Sequence, residues 1–179
     1  MSANKVTKIS ENILHHGINM NLVSVEFELS NNLTTKKDIL RHPGAVVIIP
    51  RLDRDNFILI RQYRFAMEQE ILEFPAGTRE LHEQPLECAK REIIEETKMQ
   101  AGTWTNLGTL YPTPGFCDEI QYCYLAENLA PAQLSADFDE IIETIIMTKE
   151  QIINAIRNNT LVDAKTIAVF CRAQILGLI

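Results

Sequence analysis

Residues 73–99 read EFPAGTRELHEQPLECAKREIIEETKM, a short loop with one glycine followed by residues that favour helix. Pro85 suits the first turn of a helix, because its missing N–H costs nothing there. We therefore predict a helix from residue 85 to about residue 99. One stripe of it carries the residues that suit packing on a core, namely Leu86, Ala89, Ile93 and Thr97.

Three glutamates, Glu92, Glu95 and Glu96, lie together beside that stripe, because three- and four-residue spacings share one helix face. Like charges four residues apart destabilise a helix by roughly 0.2–0.5 kcal/mol per pair. The spacing alone leaves two interpretations open. Either the face is a solvated acidic surface, or a hard divalent cation binds there, since Mg²⁺ and Mn²⁺ prefer oxygen ligands.

The full pattern is more specific than the glutamates alone. Gly77 is followed six positions on by Glu83, and eight positions later by the run from Arg91 to Met99, REIIEETKM. This spacing resembles the signature of the Nudix hydrolases, and every defining position matches except the late glycine, which is Lys98 here. Because that glycine commonly caps a helix in the left-handed conformation, the departure concerns the end of the helix more than the acidic cluster.

Length and composition bound the class of protein. A chain of 179 residues forms one domain, or one domain with a small appendage. Its net charge of −7 argues against binding to a nucleic acid backbone. No apolar run approaches the roughly 20 residues of a membrane span, and the first eight residues lack a signal-peptide core. The four cysteines have no metal-ligand spacing, so we expect reduced thiols and a cytoplasmic protein.

The rest of the chain predicts an α+β fold. We expect strands at residues 6–15, 22–29, 34–41, 45–50, 57–64, 102–110, 120–127 and 140–147. Two further helices are predicted at residues 148–157, with Thr148 as N-cap, and at residues 163–176. Residues 111–119 are expected to form a loop, because two prolines and a glycine cannot continue a sheet, and residues 128–138 are expected to be irregular.

Several flanking stretches resemble the ADP-ribose pyrophosphatase branch of the Nudix family, so that the resemblance covers about residues 40–170. They are HPGAV at 42–46, RQYR at 61–64, LEFPAG at 72–77, YPTPGF at 111–116 and DAKTIA at 163–168. The resemblance implies an α/β/α sandwich around a mixed sheet for residues 42–179. It also implies an N-terminal antiparallel β-subdomain, residues 1–41, that is exchanged across a homodimer.

The same resemblance implies Mg²⁺-dependent hydrolysis of ADP-ribose to AMP and ribose 5-phosphate. Mn²⁺ is an alternative ion, and two or more ions per site are implied. The metal ligands would be the backbone of Ala76 with Glu92, Glu96 and Glu95. Gly77, Glu83 and Arg91 would be structural, with Glu83 and Arg91 tying the loop to the helix through an ion pair.

Substrate-binding residues are implied in two places. Arg61 or Arg64 would hold a phosphate oxygen, and their three-residue separation places them on opposite faces of a strand. Pro114, with Gly115 beside it, stands fifteen positions past Met99, where a proline accompanies preference for nucleoside diphosphate sugars in this branch. On chemistry alone two alternatives stay open: Pro114 could be an ordinary turn residue, and both arginines could be ordinary surface charges.

The resemblance also implies that a further carboxylate, the catalytic base, comes from a loop after the sheet. The candidate is the acidic segment at residues 135–140, which reads SADFDE and by composition alone could be a solvated surface loop. Phe138 replaces a glutamate that is common in the family. Glu140 has the longest reach and is the first candidate, followed by Asp139. Glu95 is the candidate within the helix if neither of them serves.

Two other functions stay open on the sequence. A GDP-mannose or other nucleotide-sugar pyrophosphatase would share the helix pattern and the Pro-Gly loop. A Nudix module that binds ADP-ribose without cleaving it is the non-enzymatic alternative, and the complete set of carboxylates argues against it.

Overall fold

The computed structural model describes residues 5–133 and 142–179. Its contacts divide the chain into two units, Met1–Gly44 with Tyr111–Ile120, and Ala45–Leu110 with Gln121–Ile179. The described elements confirm the predicted α+β class. No helix within the described residues combines the length and apolar character needed to cross a membrane.

The first unit is built on a three-stranded antiparallel sheet in the order β1-β2-β3, comprising β1 (Thr7–His16), β2 (Asn21–Glu28) and β3 (Thr34–Arg41). Val23 and Val25 on the central strand are buried. The loop at residues 111–120 joins the end of β3, where the N–H of Leu40 donates to the carbonyl of Phe116 at 2.8 Å. The N–H of Asp118 donates back to the carbonyl of Leu40 at 3.1 Å.

In the part that the structure describes, the second unit contains two sheets and three helices. The mixed sheet has the order β7-β4-β9-β8, in which only the β4–β9 pair is parallel, and the antiparallel sheet has the order β10-β5-β6. The strands are β4 (Ala45–Pro50), β5 (Asn56–Arg64), β6 (Gln69–Glu73), β7 (Ala76–Thr78), β8 (Met99–Leu110), β9 (Gln121–Pro131) and β10 (Ile142–Thr148). The helices are α1 (Pro85–Thr97), α2 (Lys149–Arg157) and α3 (Ala164–Ile175).

The core lies on both faces of β4, since side chains alternate across a strand. Val46 and Ile48 pack in one cluster with Ile93 of α1. Val47 and Ile49 pack in the other cluster, to which α2 and α3 contribute. On α1 the predicted apolar stripe is confirmed, because Ala89, Ile93 and Thr97 are buried and Leu86 packs against them.

Three details of the predicted elements were wrong. Helix α1 ends at Thr97, and β8 begins at Met99 rather than residue 102. Strand β9 continues to Pro131, across positions expected to be irregular, because it pairs with the early residues of β8. The short strands β6 and β7 were not predicted. Strand β7 pairs with β4 from about thirty positions away, which local sequence does not reveal, whereas β6 forms a hairpin with β5 across residues 65–68.

Candidate active site

The acidic helix ends in an unusual cap. Lys98 has a φ of 58° and ψ of 28°, the left-handed conformation in which glycine is common. Its N–H donates to the carbonyl of Ile94 at 2.9 Å, and its Nζ donates to the carbonyl of Glu95 at 2.8 Å. The helix therefore terminates as a glycine-capped helix would, although a lysine occupies the position.

Arg91 joins the loop before the helix to the carboxylates on it. Its Nε and Nη2 donate to the two carboxylate oxygens of Glu83 at 3.0 and 3.1 Å. Its Nη1 donates to Glu92 at 2.7 Å and to Glu95 at 2.8 Å. The hydrogen bonds from Arg91 lower the pKa of Glu83 to about 2. Burial alone would lower the pKa of Arg91, but hydrogen bonds to Glu83 and the charge of Glu92 raise it above its usual range.

Glu92 and Glu96 are buried, with only 5% and 4% of their surface exposed. The backbone N–H of Ala76 donates to Oε2 of Glu96 at 3.0 Å, which fixes the loop to the last turn of the helix. The carboxylate of Glu92 lies against Gly77, so closely that a Cβ at that position would overlap all three carboxylate atoms. With the carboxylate of Glu92 in this position, residue 77 has room for glycine and not for a Cβ.

The donor set fits a hard divalent cation. Glu92, Glu95 and Glu96 supply carboxylate oxygens beside the Ala76–Gly77 backbone, and burial of two like charges favours a cation between them. Within residues 5–133 and 142–179, no three His, Cys, Asp or Glu side chains surround one point at ligand distance. The guanidinium of Arg91 contacts both Glu92 and Glu95.

The two predicted phosphate-binding arginines have different surroundings. Nη1 of Arg61 pairs with Glu143 at 2.9 Å, and both side chains are exposed. Nε of Arg64 pairs with Glu73 at 2.7 Å, and Arg64 is half-buried while Glu73 is buried. Burial lowers the pKa of Arg64, but the hydrogen bond and charge of Glu73 more than offset this and raise it.

Sequence reasoning missed the buried carboxylate of Glu73. Its second oxygen pairs with Nζ of Lys165, and Nζ of Lys165 also lies 3.0 Å from Asp163. The available signal was a glutamate between two apolar residues, Leu72 and Phe74, in a stretch that reads as buried. A charge at such a place needs a partner, and one of its two partners, Lys165, lies 92 positions away, so the sequence does not name it.

Four predicted site residues remain, namely Pro114, Gly115, Glu140 and Asp139. Pro114 and Gly115 belong to the first unit, where both are exposed in the loop at residues 111–120. The N–H groups of Phe116 and Cys117 close a turn on the carbonyl of Thr113 at 3.2 and 3.0 Å. The predicted base residues Glu140 and Asp139 lie outside the described residues.

Comparison with known proteins gives the class. The profile of the NUDIX domain matches residues 40–170, most of the chain. The protein therefore belongs to the Nudix family. An ADP-ribose pyrophosphatase of Bacillus subtilis (strain 168) is 34% identical over 88% of this chain and 86% of its own length.

Two other proteins are similar. A protein of Bacillus methanolicus called methanol dehydrogenase activator is 35% identical over 79% of this chain and 78% of its own length. A solved structure described as an ADP compounds hydrolase superposes over the whole of both chains with a TM-score of 0.86 and 23% identity. At that identity the likeness establishes the α+β Nudix fold alone.

Proposed function

We propose that the protein hydrolyses ADP-ribose to AMP and ribose 5-phosphate in the presence of Mg²⁺, with Mn²⁺ as an alternative ion. One observation carries the proposal: two buried glutamates, Glu92 and Glu96, share a helix face that adjoins the Gly77 loop. Family membership and the name of the Bacillus subtilis relative support this choice of reaction and substrate.

The chemistry follows from the charge of the substrate. A diphosphate resists attack by water because its oxygens repel a nucleophile, and two or more bound divalent ions would neutralise that charge and acidify a bound water. Glu92, Glu96 and Glu95 would hold the ions, together with the backbone of Ala76. Gly77 leaves room for the Glu92 carboxylate beside the loop, which keeps these donors together.

The remaining steps belong to other side chains. Arg64 would bind a phosphate oxygen, most strongly through two parallel N–H groups, and Arg61 is the second candidate. Glu140 is the first candidate for the base that removes a proton from the attacking water, and Asp139 is the second. Glu95 would be the base if substitution of Glu140 and of Asp139 each leaves the enzyme active. Pro114 and Gly115 would shape recognition of the nucleoside diphosphate sugar.

The substrate is tested by a panel assay. The protein is incubated with Mg²⁺ and ADP-ribose, GDP-mannose and other nucleotide sugars, and the products are separated by chromatography. The proposal expects AMP and ribose 5-phosphate from ADP-ribose as the fastest reaction. Faster release of GMP from GDP-mannose would favour the nucleotide-sugar alternative. Tight binding of ADP-ribose without any product would favour the non-catalytic module.

We also propose that the protein is a homodimer in which the N-terminal subdomain, residues 1–41, is exchanged between copies and contributes to the partner's substrate site. Strand β1 supports this, since it is an edge strand with several large apolar side chains more than half exposed. These are Ile9, Ile13 and Leu14, and Val6, directly before the strand, is also more than half exposed. An exposed apolar edge strand is a surface that proteins usually cover.

A further inference from the structure

The Glu73 carboxylate is the most deeply buried charge described in the second unit, with 1% of its surface exposed. One oxygen accepts a hydrogen bond from Nε of Arg64 on β5, and the other pairs with Nζ of Lys165 on α3. Lys165 is shared with Asp163, the N-cap residue of α3. Two strands and a helix thus meet at a single carboxylate.

Stability alone does not account for this arrangement. Burying charges requires removing their hydration, and replacing a buried ion pair by apolar residues is often neutral or even stabilising. The backbone here has its own connection to α3, since the N–H of Phe74 donates to the buried hydroxyl of Thr166 at 2.8 Å. Attachment of β6 to α3 therefore does not by itself explain why a charged residue occupies position 73.

The way Arg64 is held suggests that reason. Glu73 takes only the Nε–H of the guanidinium. Nη1 and Nη2 make no hydrogen bond to any residue in the described ranges, and the side chain is 35% exposed. The charge of Glu96 acts on the same guanidinium, which places Arg64 near the acidic helix. One end of the guanidinium is anchored, while its terminal nitrogens are left for another anion.

We propose that Glu73 is a positioning residue, which anchors Arg64 through Nε so that its two terminal nitrogens are held ready for a phosphate of the bound nucleoside diphosphate. Lys165 neutralises the second oxygen of Glu73, so that the carboxylate does not repel that phosphate. The inference rests on the proposed function, in which Arg64 binds phosphate. A pre-oriented guanidinium loses less rotamer freedom on binding than a mobile one.

The test measures binding of α,β-methylene-ADP, whose P–C–P link resists hydrolysis, by calorimetry in Mg²⁺. Glu73→Gln and Arg64→Lys should each weaken binding about tenfold, the scale of a charge-assisted hydrogen bond. The double variant should bind no more weakly than Arg64→Lys, because Glu73 acts through that arginine. Glu127→Gln, which removes a carboxylate from Arg51 at 3.1 Å, is the matched control and should bind as wild type.

Three results would overturn the proposal. Glu73→Gln could bind the probe as tightly as wild type, the double variant could lose the product of the two single-variant losses in affinity, or the wild-type protein could bind no probe. If Glu73→Gln does not fold, Glu73→Asp replaces it in the test, because aspartate keeps the charge but is one methylene shorter. Undiminished binding of the probe by Glu73→Asp would likewise contradict the proposal. Hydrolysis is scored separately. A wild-type protein that binds the probe but releases no AMP from ADP-ribose refutes the proposed function, while the comparison at position 73 still decides this inference.

Discussion

At the residue scale, Gly77 shows why a motif position can accept a single amino acid. Its backbone lies where the Glu92 carboxylate needs room, so a methyl group there would displace that carboxylate or the loop. We expect Gly77→Ala to lower the free energy of unfolding by about 1–3 kcal/mol, the usual cost of overpacking. Denaturant titration measures this change.

Gly115→Ala is the matched control, because a Cβ at position 115 would meet no atom within 4 Å. It should change the free energy of unfolding by less than about 0.5 kcal/mol. Equal effects of the two substitutions would contradict the close approach of Glu92 to the loop.

The pairing of Glu83 with Arg91 predicts a pH dependence. Arg91 lowers the pKa of Glu83 from its ordinary 4.5 to about 2 in the folded protein. A lowered folded-state pKa stabilises the protein fully above pH 4.5, and the contribution is lost as pH falls from 4.5 through about 2. The difference in unfolding free energy between wild type and Glu83→Gln should therefore be constant near neutral pH and shrink across that window.

Denaturant titrations at several pH values measure that difference. Glu87→Gln, which changes an exposed glutamate paired with Lys90 at 2.8 Å, serves as the control and should shift stability little at any pH. A Glu83 difference that stays constant down to pH 2 would show that the ion pair with Arg91 does not form in solution.

At the element scale, the end of α1 can be tested through Lys98. Left-handed backbone costs a non-glycine residue about 1–2 kcal/mol, and glycine largely avoids this cost. We expect Lys98→Gly to raise the free energy of unfolding by about 1 kcal/mol, measured by thermal or denaturant unfolding. Lys98→Ala keeps the strain and removes the side-chain contacts of Lys98, including that of Nζ with the Glu95 carbonyl, so it should bring no gain. A Lys98→Gly variant less stable than Lys98→Ala would contradict the left-handed cap.

The elements that sequence predicts are those whose signals are local. The β-branched run of β4 and the Thr148 cap of α2 carry their own signals, and the structure places both where they were expected. Strand β7 has three residues and exists only through its pairing with β4. The last residues of β9 pair with the start of β8, a contact between segments about thirty positions apart. Such pairing depends on tertiary structure and leaves little trace in the local pattern.

Some features of the candidate site are likewise local and predictable, whereas others depend on tertiary contacts. The spacing of Glu92, Glu95 and Glu96 along one helix is a local property, and the sequence predicts their common face. Burial of Glu92 and Glu96 depends on the Gly77 loop, which the motif indicates without giving the contact. Arg64 lies only nine positions from Glu73, on the neighbouring strand, whereas Lys165 comes from a segment 92 positions away, so the complete network was not predictable from one sequence.

At the scale of the whole molecule, we expect a homodimer. Light scattering at micromolar concentration should report twice the mass of one chain, because a second copy would bury the exposed apolar side chains of β1. Ile13→Asp should shift the protein toward monomer and weaken activity. Ile175→Asp is the control, since Ile175 is even more exposed but lies at the end of α3, and it should leave the mass unchanged. A fully active monomeric wild type would refute both the dimer and the shared site.

The central claim is that the carboxylates of α1 form the catalytic metal site, and turnover of ADP-ribose by Glu96→Gln tests it most directly. The glutamine can still accept the hydrogen bond from the Ala76 N–H, so the fold should survive, with stability in the absence of metal held or slightly raised. Release of AMP by the wild-type protein should require Mg²⁺. In Glu96→Gln it should fall about a hundredfold or more, the scale expected when a group that stabilises charge in the transition state is removed. Glu87→Gln on the same helix should keep wild-type turnover. Turnover by a folded Glu96→Gln within a few-fold of wild type would contradict the account.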